Sequence, residues 1–358
     1  MVGYVLNKLF YALLTLFGVV TVIFFLFNIL PGDPAQMMLG QNEDSEQLAI
    51  IKAKYGFDKP IGTQYLYYLN DLSPISFHSK SENDYTYLDK EKYSATPLFS
   101  IGNTTTALKL PYLRESFTKQ GKKVSQVIGE TLPNTFVLAI SAITIAIIIG
   151  LILGVISALK KDSWIDRMIQ VLSTLGMSVP SFFSAILFAW FFGFLLHKYT
   201  NLEMTGSLYE LDDFGEKIHV KWKNLILPAL VLGIRPLAVI IQLMRNSLLE
   251  VLSQDYIRTA RAKGLSEFQV VKNHAVKNAL NPVITAISGW FASMLAGAVF
   301  VEYVFGWNGL GKEIVNALNT LDLPIIMGSV LVIASLFVMI NILVDLIYAW
   351  LDPKVKIQ

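Results

Sequence analysis

The chain alternates long apolar blocks with polar stretches. The first block, residues 9–30, contains no charged residue. A bilayer core about 30 Å thick is spanned by about 20 helical residues, so this block is long enough to cross it. The block is longer than the apolar core of a secretory signal and runs into Pro31-Gly32-Asp33-Pro34. We therefore predict an uncleaved first transmembrane helix within an N-terminal region, 1–34.

Further apolar blocks predict an all-α polytopic membrane protein with six transmembrane helices. The other five spans are 135–159, 168–196, 225–248, 282–305 and 324–350. The third span is interrupted by Ser178-Val179-Pro180-Ser181, and the fourth contains Arg235-Pro236. A helix interrupted by proline needs neighbours for the backbone groups that it leaves free. We therefore expect these two spans to face protein or a water-filled cavity.

The distribution of Lys and Arg between short loops predicts the orientation of the spans. Loop 160–167 and stretch 253–280 are rich in Lys and Arg, whereas loop 306–323 has a single basic residue, Lys312. Because basic loops stay on the cytoplasmic side, both termini are predicted to be cytoplasmic. Residues 35–126 then form a large extracytoplasmic segment between the first two spans.

The extracytoplasmic segment combines helical patterns with a weak hairpin pattern. Residues 45–55 and 64–72 are amphipathic, and Gly56 suits the end of the first of these helices. Residues 97–110 alternate in polarity around a turn at Ile101-Gly102-Asn103, as a β-hairpin does. The segment is interpreted as either a solvated cap or a docking surface. The permease core, 127–350, and a cytoplasmic tail, 351–358, complete the predicted domains.

The stretch 253–280 is too polar to span a membrane and too regular to be a simple loop. Residues 255–263 predict a short helix that ends at Gly264, a suitable left-handed cap. Ser266 and Gln269 have the spacing of a capping box, which begins a second helix ending near Leu280. Asn281-Pro282 is predicted to start the next span. The alternative is a basic interfacial helix that only fixes the topology.

The sequence Asp255-Tyr256-Ile257-Arg258-Thr259-Ala260-Arg261-Ala262-Lys263-Gly264-Leu265 resembles the coupling motif of binding-protein-dependent ABC transporter permeases, in the form found in dipeptide and oligopeptide importers. Other motifs of that family occur in the same order along nearly the whole chain. They are Leu30-Pro31-Gly32-Asp33-Pro34, Tyr55-Gly56-Phe57-Asp58-Lys59-Pro60, Gln64-Tyr65, Thr131-Leu132-Pro133-Asn134-Thr135, Phe305-Gly306-Trp307-Asn308-Gly309-Leu310-Gly311 and Leu351-Asp352-Pro353.

The resemblance implies a transport subunit of the bacterial inner membrane that imports di- or oligopeptides by alternating access. The implied partners are a second homologous permease, two ABC ATPases, an extracytoplasmic substrate-binding protein and the peptide itself. The implied ATPase-coupling residues are Asp255, Tyr256, Arg258, Thr259, Ala260, Arg261, Ala262, Lys263 and Gly264. The chain departs from the family in two places. Arg258-Thr259-Ala260 stands where the general motif begins Glu-Ala-Ala, and residues 73–123 have no family counterpart.

Charged and polar residues inside the spans are candidates for the translocation path. Arg235 lies deep in the fourth span, where an intramembrane charge is a functional hypothesis. It is expected either to line a peptide path or to hold two helices together. The other path candidates are Ser178, Pro180 and Ser181.

Three further charged residues in the spans are given structural roles. Arg245 and Asp345 lie at similar depth near the inner ends of the fourth and sixth spans, and we predict that they form an ion pair. Glu302 lies near the outer end of the fifth span, where we expect simple solvation.

Composition supports a membrane protein and argues against several other functions. Hydrophobic residues make up 54% of the chain, charged residues 16%, and mean hydropathy is +0.52, whereas soluble chains carry about 25% charged residues. With no Cys and only four His, a thiolate site, a disulfide, a metal site or a cofactor is not expected. The net charge of +2 is too small to indicate nucleic-acid binding.

One motif resembles a nucleotide site. Residues 306–313 nearly match G-x-x-x-x-G-K-[ST], but Glu313 replaces the hydroxyl residue that would hold magnesium. We therefore expect no ATP site in this chain and no enzyme activity, so ATP hydrolysis belongs to partner subunits. The alternatives left open are an ion-coupled secondary transporter, an ABC importer of nickel or oligosaccharide, and an intramembrane enzyme.

Overall fold

The computed structural model describes residues 2–29, 35–36, 45–82, 84–89, 92–212 and 217–351. The chain is mostly helical, at 71%. Five of the described helices are long and apolar enough to cross a membrane. They contain the segments Leu6–Asn28, Val124–Leu159, Lys223–Leu252, Glu267–Gly297 and Leu323–Val344. A sixth candidate is a pair of helices, Trp164–Ser178 and Ser181–Leu195, bent by 109° at the predicted break around Pro180.

The helices are numbered here in chain order. They are α1 Val2–Ile29, α2 Ser45–Tyr55, α3 Ile61–Leu72, α4 Val124–Leu159, α5 Trp164–Ser178, α6 Ser181–Phe188, α7 His197–Thr200, α8 Lys223–Leu252, α9 Asp255–Ala262, α10 Glu267–Val270, α11 Val276–Gly297, α12 Val299–Phe305, α13 Leu310–Asn319 and α14 Leu323–Leu351. Two π-helical segments, Ala189–Leu195 and Val271–Ala275, follow α6 and α10. The strands are β1 Ile75–Ser79, β2 Ala95–Ile101, β3 Thr104–Lys109, β4 Tyr209–Leu211 and β5 Ile218–Val220.

The chain divides into two compact units. One, here called the loop unit, contains residues 9–130 and 316–334. The other, here called the core unit, contains residues 1–8, 131–315 and 335–358.

The loop unit contains a three-stranded antiparallel sheet in the order β1-β3-β2. The predicted hairpin is confirmed as β2 and β3, and Gly102 takes a positive φ of 57° in its turn. The strand β1 pairs with β3 from Ile75 opposite Leu108 to Ser79 opposite Thr104. This sheet and the β4-β5 hairpin correct the prediction of an all-α chain. Only the pairing of β1 with β3 joins stretches that are distant in sequence, and a local pattern does not detect such a pairing.

Aromatic residues pack the helices of the loop unit together. Phe24 of α1 is 1% exposed and stacks on Tyr68 of α3, with ring centroids 5.6 Å apart. Thr21 Oγ1 lies 2.7 Å from the hydroxyl of Tyr65, also on α3. The amphipathic pattern of 64–72 therefore marks the face of α3 that packs on α1.

In the core unit, α8 packs against α5 and α11. Glycines let α4 lie close to α8. A Cβ atom at Gly150 would lie 2.7 Å from the Ile240 side chain, and one at Gly154 would lie 2.7 Å from Met244. Small residues four apart allow such close approach of transmembrane helices. This close approach explains the spacing Gly150-x-x-x-Gly154.

The predicted helix boundary at Asn281-Pro282 is wrong. Helix α11 begins at Val276 and continues through Pro282 to Gly297. Proline removes one backbone donor, and neighbouring helices can support the backbone at such a site. Two family motifs lie partly or wholly outside the described residues, namely 30–34 and 351–353.

Candidate coupling hairpin and intramembrane cavity

The predicted turn between two short helices is present in the core unit. Helix α9 ends at Ala262, and Gly264 has a φ of +84°, a conformation that glycine adopts without steric cost. The capping box also forms: Ser266 Oγ accepts from the Gln269 N–H, and the Gln269 side chain accepts from the Ser266 N–H. Local capping therefore fixes both sides of the turn.

An ion pair closes the hairpin across its turn. Arg261 of α9 donates from Nε and Nη2 to the two carboxylate oxygens of Glu267, at 2.8 and 3.2 Å. Because both side chains are exposed, the pair contributes little to the free energy of folding. Its two parallel hydrogen bonds orient α9 relative to α10.

The apolar face of α9 anchors the hairpin to the membrane helices. Ile257 is 0% exposed and Ala260 is 6% exposed. They belong to one buried cluster with Met244 and Leu248 of α8 and Val283 of α11. Because the hairpin packs directly on both helices, a force applied to it is transmitted to both.

The opposite face of the hairpin is polar and accessible. The predicted coupling residues exposed on it are Asp255, Tyr256, Arg258, Thr259, Arg261, Ala262, Lys263 and Gly264. Phe268, at 73% exposed, is a large apolar residue on the same hairpin. Of the predicted coupling residues, only Ala260 is buried. The arrangement can therefore bind a protein partner through one face while the other face remains anchored.

Arg245 pairs with Asp166, an acid that was not predicted as its partner. Its Nε and Nη2 atoms donate to the two oxygens of Asp166, at 2.8 and 2.7 Å. Asp166 also accepts from Ser157 Oγ at 2.6 Å and from the Asp162 N–H at 2.9 Å. The side chain of the expected partner, Asp345, lies outside the described ones, so the Arg245–Asp345 pair stays a prediction.

A cavity of about 350 Å³ lies among α5, α6, α8 and α11 in the core unit. Arg235 and Ser181, both predicted path residues, line it together with Ser184 and Trp290. Arg235 is exposed and reaches the Val179 carbonyl only at 3.5 Å. The cavity thus offers a cation, hydroxyl groups and an aromatic surface to a polar molecule.

Two other predicted path residues do not line this cavity. The Ser178 hydroxyl donates to the Thr174 carbonyl within its own helix, at 2.8 Å. Pro180 lies at the N-cap of α6, where it forms the break in the bent pair. The roles of both remain predictions.

Glu302 is buried, and the expectation that it is simply solvated is wrong. It is 0% exposed, and its Oε2 accepts from the N–H groups of Gly311 and Lys312, at 2.7 and 3.1 Å. These N–H groups belong to the first turn of α13, where a phosphate would bind if 306–313 were a nucleotide loop. A carboxylate of the chain itself occupies that position, and helix α12 precedes the loop where a nucleotide site needs a strand.

The same loop joins two of the family motifs, through contacts between residues 173 to 175 apart in sequence. Trp307 Nε1 donates to the Asn134 carbonyl at 3.0 Å, and Asn134 Nδ2 donates to the Asn308 carbonyl at 2.7 Å. The Leu310 N–H donates to Thr135 Oγ1 at 2.8 Å. These motifs therefore fasten α4 to the connection between α12 and α13, a structural role.

The described residues contain no group of three or more His, Asp or Glu positioned to hold a metal ion.

The core unit thus combines apolar helices, a hairpin anchored on one face, and a cavity lined by polar and aromatic residues. The sequence profile of the binding-protein-dependent transport system inner membrane component matches residues 146–357, and that of the N-terminal part of such components matches residues 1–82. The chain belongs to this family. It is a multi-pass inner-membrane permease of the ABC importer type.

Similar proteins include two named for dipeptide transport. The dipeptide transport system permease protein DppB of Alkalihalophilus pseudofirmus is 32% identical, over 99% of this chain and 100% of that protein. DppB of Bacillus subtilis is 31% identical, over 100% of this chain and 99% of that protein. A solved structure of the MetNI methionine ABC transporter in an inward-facing conformation matches with a TM-score of 0.50. It is 16% identical and covers 63% of this chain and 97% of that chain, a likeness that concerns the fold.

Proposed function

We propose that the chain is one membrane subunit of an ATP-driven importer of di- and oligopeptides. The observation that carries this proposal is the hairpin, with one face buried on α8 and α11 and the other face exposed. Two ATPase subunits bind the exposed face of this hairpin and of its counterpart in a second permease. A substrate-binding protein delivers peptide on the opposite side of the membrane.

ATP drives transport through this hairpin by alternating access. Closure of the ATPases moves the hairpin, and the buried contacts of Ile257 and Ala260 pass the movement to α8 and α11. Arg235 lies on α8 and lines the cavity. A movement of α8 therefore also moves the guanidinium that binds the peptide carboxylate. The family of relatives named for dipeptide transport supports a peptide cargo over nickel or oligosaccharide.

Charge reversal at the hairpin tests the docking face. We expect Lys263→Glu to reduce recovery of the ATPases when the complex is purified through this chain, because Lys263 is exposed beside the turn. Arg167→Glu is the matched control, since Arg167 is also exposed and lies on a predicted cytoplasmic loop outside the hairpin. Equal ATPase recovery from both variants, at low and high salt, would contradict docking through this face.

Uptake by the reconstituted complex tests the cargo. Vesicles containing both permeases, both ATPases and the binding protein should accumulate a labelled dipeptide in the presence of ATP, and should not accumulate nickel or an oligosaccharide. ATP-independent uptake driven by an ion gradient would favour the secondary transporter instead.

A further inference from the structure

A second cavity lies within the loop unit, far along the sequence from the intramembrane cavity. Its volume is about 350 Å³, within the range of small-molecule sites. Six aromatic side chains form much of its wall. They are Tyr55, Phe57, Tyr85, Tyr87, Tyr112 and Phe117. Part of this wall belongs to stretch 73–123, which the family resemblance left without a role.

A buried acid holds part of the aromatic wall in place. Asp71 is 1% exposed and accepts from the hydroxyls of Tyr85 and Tyr93, at 2.8 and 3.0 Å. It also accepts from Arg114 Nε at 3.0 Å. Arg114 lines the cavity, but its charge is balanced by Asp71. The pair therefore makes a rigid wall and leaves ligand recognition to other charged residues.

Lys92 places an ammonium group against this wall. Its Nζ lies 3.7 Å from the ring centroid of Tyr85 and 4.8 Å from that of Tyr93, and donates to the Tyr85 carbonyl at 3.1 Å. Burial lowers the pKa of Lys92 to about 8, so the group is mostly charged at neutral pH. An ammonium has three donors, and within the described part of the chain only the Tyr85 carbonyl accepts from this one. Donors remain for a carboxylate.

Glu115 supplies a negative charge to the same cavity. Burial, with a contribution from the Glu115 carboxylate, raises the pKa of both Tyr55 and Tyr112. Among the described residues, Glu115 and Lys92 form no ion pair with each other. The cavity thus has opposite charges at separate positions, between aromatic surfaces.

The charges around the cavity narrow the class of ligand. Its ionisable lining carries both signs, with Lys54, Lys92 and Arg114 against Glu82, Asp84, Asp89 and Glu115. Four acids would repel phosphate or a polyanion, and Lys92 would repel a simple cation. A molecule with one carboxylate, one ammonium and an apolar group can instead pair its two charges with groups of opposite sign and place its apolar group against the aromatic rings.

We propose that this cavity binds a small zwitterion with one free α-ammonium and one free α-carboxylate group, either a free amino acid or a short peptide. Lys92 binds the carboxylate, Glu115 faces the ammonium, and the side chain of the ligand lies among the aromatic rings. The site is separate from the intramembrane cavity and does not depend on the cargo proposed above.

Direct binding to the full-length chain in lipid nanodiscs tests the site, without ATPase or binding protein. The probes for calorimetry are L-phenylalanine, Ala-Phe, N-acetyl-Ala-Phe and Ala-Phe-amide. We expect one of the two zwitterions to bind, and loss of either terminal charge to weaken Ala-Phe by about tenfold or more, because each removes a charge-assisted contact. Tighter binding of L-phenylalanine identifies a free amino acid as the ligand, and tighter binding of Ala-Phe identifies a peptide.

Variants assign the binding to this cavity. Lys92→Met and Glu115→Gln should each weaken binding by about tenfold, whereas the exposed controls Lys198→Met and Glu203→Gln should not. In Glu115→Gln the preference for a free ammonium should fall while the need for a carboxylate remains, a selectivity that misfolding would not produce. Arg235→Leu should retain full binding.

Three results would overturn the proposal. They are no binding of either zwitterion, equal binding of the capped peptides, and loss of binding in Arg235→Leu with no loss in Lys92→Met and Glu115→Gln. The last result would place the ligand in the intramembrane cavity. Because no transport step is measured, failure of peptide uptake leaves this test unaffected.

Discussion

The ion pair between Asp166 and Arg245 should be a main stabilising contact between α5 and α8. The Asp166 side chain is 4% exposed and that of Arg245 is 18% exposed. Two hydrogen bonds join them, and Asp166 accepts two more, from Ser157 and the Asp162 N–H. Every strong acceptor position of the carboxylate is therefore in use.

The expected magnitude follows from this burial. Removing one member of a buried pair costs about 3–5 kcal/mol, because the other charge is left without compensation. Arg245 keeps some contact with solvent, so we expect the lower end, about 3 kcal/mol, for Asp166→Ala. Arg245→Met should cost a similar amount, since Asp166 would stay buried with only its two other donors. The double variant should cost less than the sum, with a coupling energy of about 2 kcal/mol.

The assay is unfolding in mixed detergent micelles with increasing SDS, followed by tryptophan fluorescence. The signal sums six Trp residues, of which Trp164 lies two residues before Asp166 at the start of α5. The matched control is Asp255 with Arg258, whose side chains are 95% and 73% exposed and whose contact is 3.3 Å. That pair should show no measurable coupling. Equal coupling in the two pairs, or none in either, would refute the reasoning from burial.

Three further changes test the hairpin, the cavity and the topology. Gly264→Val should abolish ATP-dependent uptake without reducing membrane insertion, because a left-handed conformation costs an ordinary residue about 1–2 kcal/mol. Gly264→Asn should keep much of the uptake, since Asn tolerates this conformation; equal uptake by both variants would count against the turn. Arg235→Leu should leave stability unchanged, since Arg235 is exposed with one long contact, but should reduce uptake of acidic peptides most. Normal uptake of every peptide would remove Arg235 from the path. In this chain without Cys, Asn103→Cys should react with an impermeant thiol reagent in cells with a permeabilised outer membrane and Lys263→Cys should not; the reverse would invert the predicted orientation.

Features that depend on residues close in sequence were predictable. The break at Pro180 and the turn at Gly264 depend on backbone preferences of one or two residues, and both are present. The capping box of Ser266 and Gln269 spans four residues and forms as predicted. The apolar spans follow from hydropathy because lipid accepts only helices with satisfied backbones in such segments.

Partners distant in sequence were decided by the tertiary structure. The sequence suggested only Asp345 as a partner for Arg245, and the packing of α5 on α8 brings Asp166, 79 residues away, to its guanidinium. From the sequence, Glu302 was expected to be solvated. In the structure, the N–H groups in the first turn of α13 donate to its carboxylate instead. The third strand, β1, joins the sheet through pairing with β3 rather than through any local turn.

The physical reason for this division is the range of the interactions. Capping, proline breaks and transfer into lipid act on a residue and its immediate neighbours. The sequence alone therefore determined where apolar helices occur and where the hairpin turns, although not every helix boundary. An ion pair or a cavity depends on which helix faces lie together. The aromatic walls around Lys92 and Glu115 come from separate stretches of the chain, so only the folded structure joined them into one site.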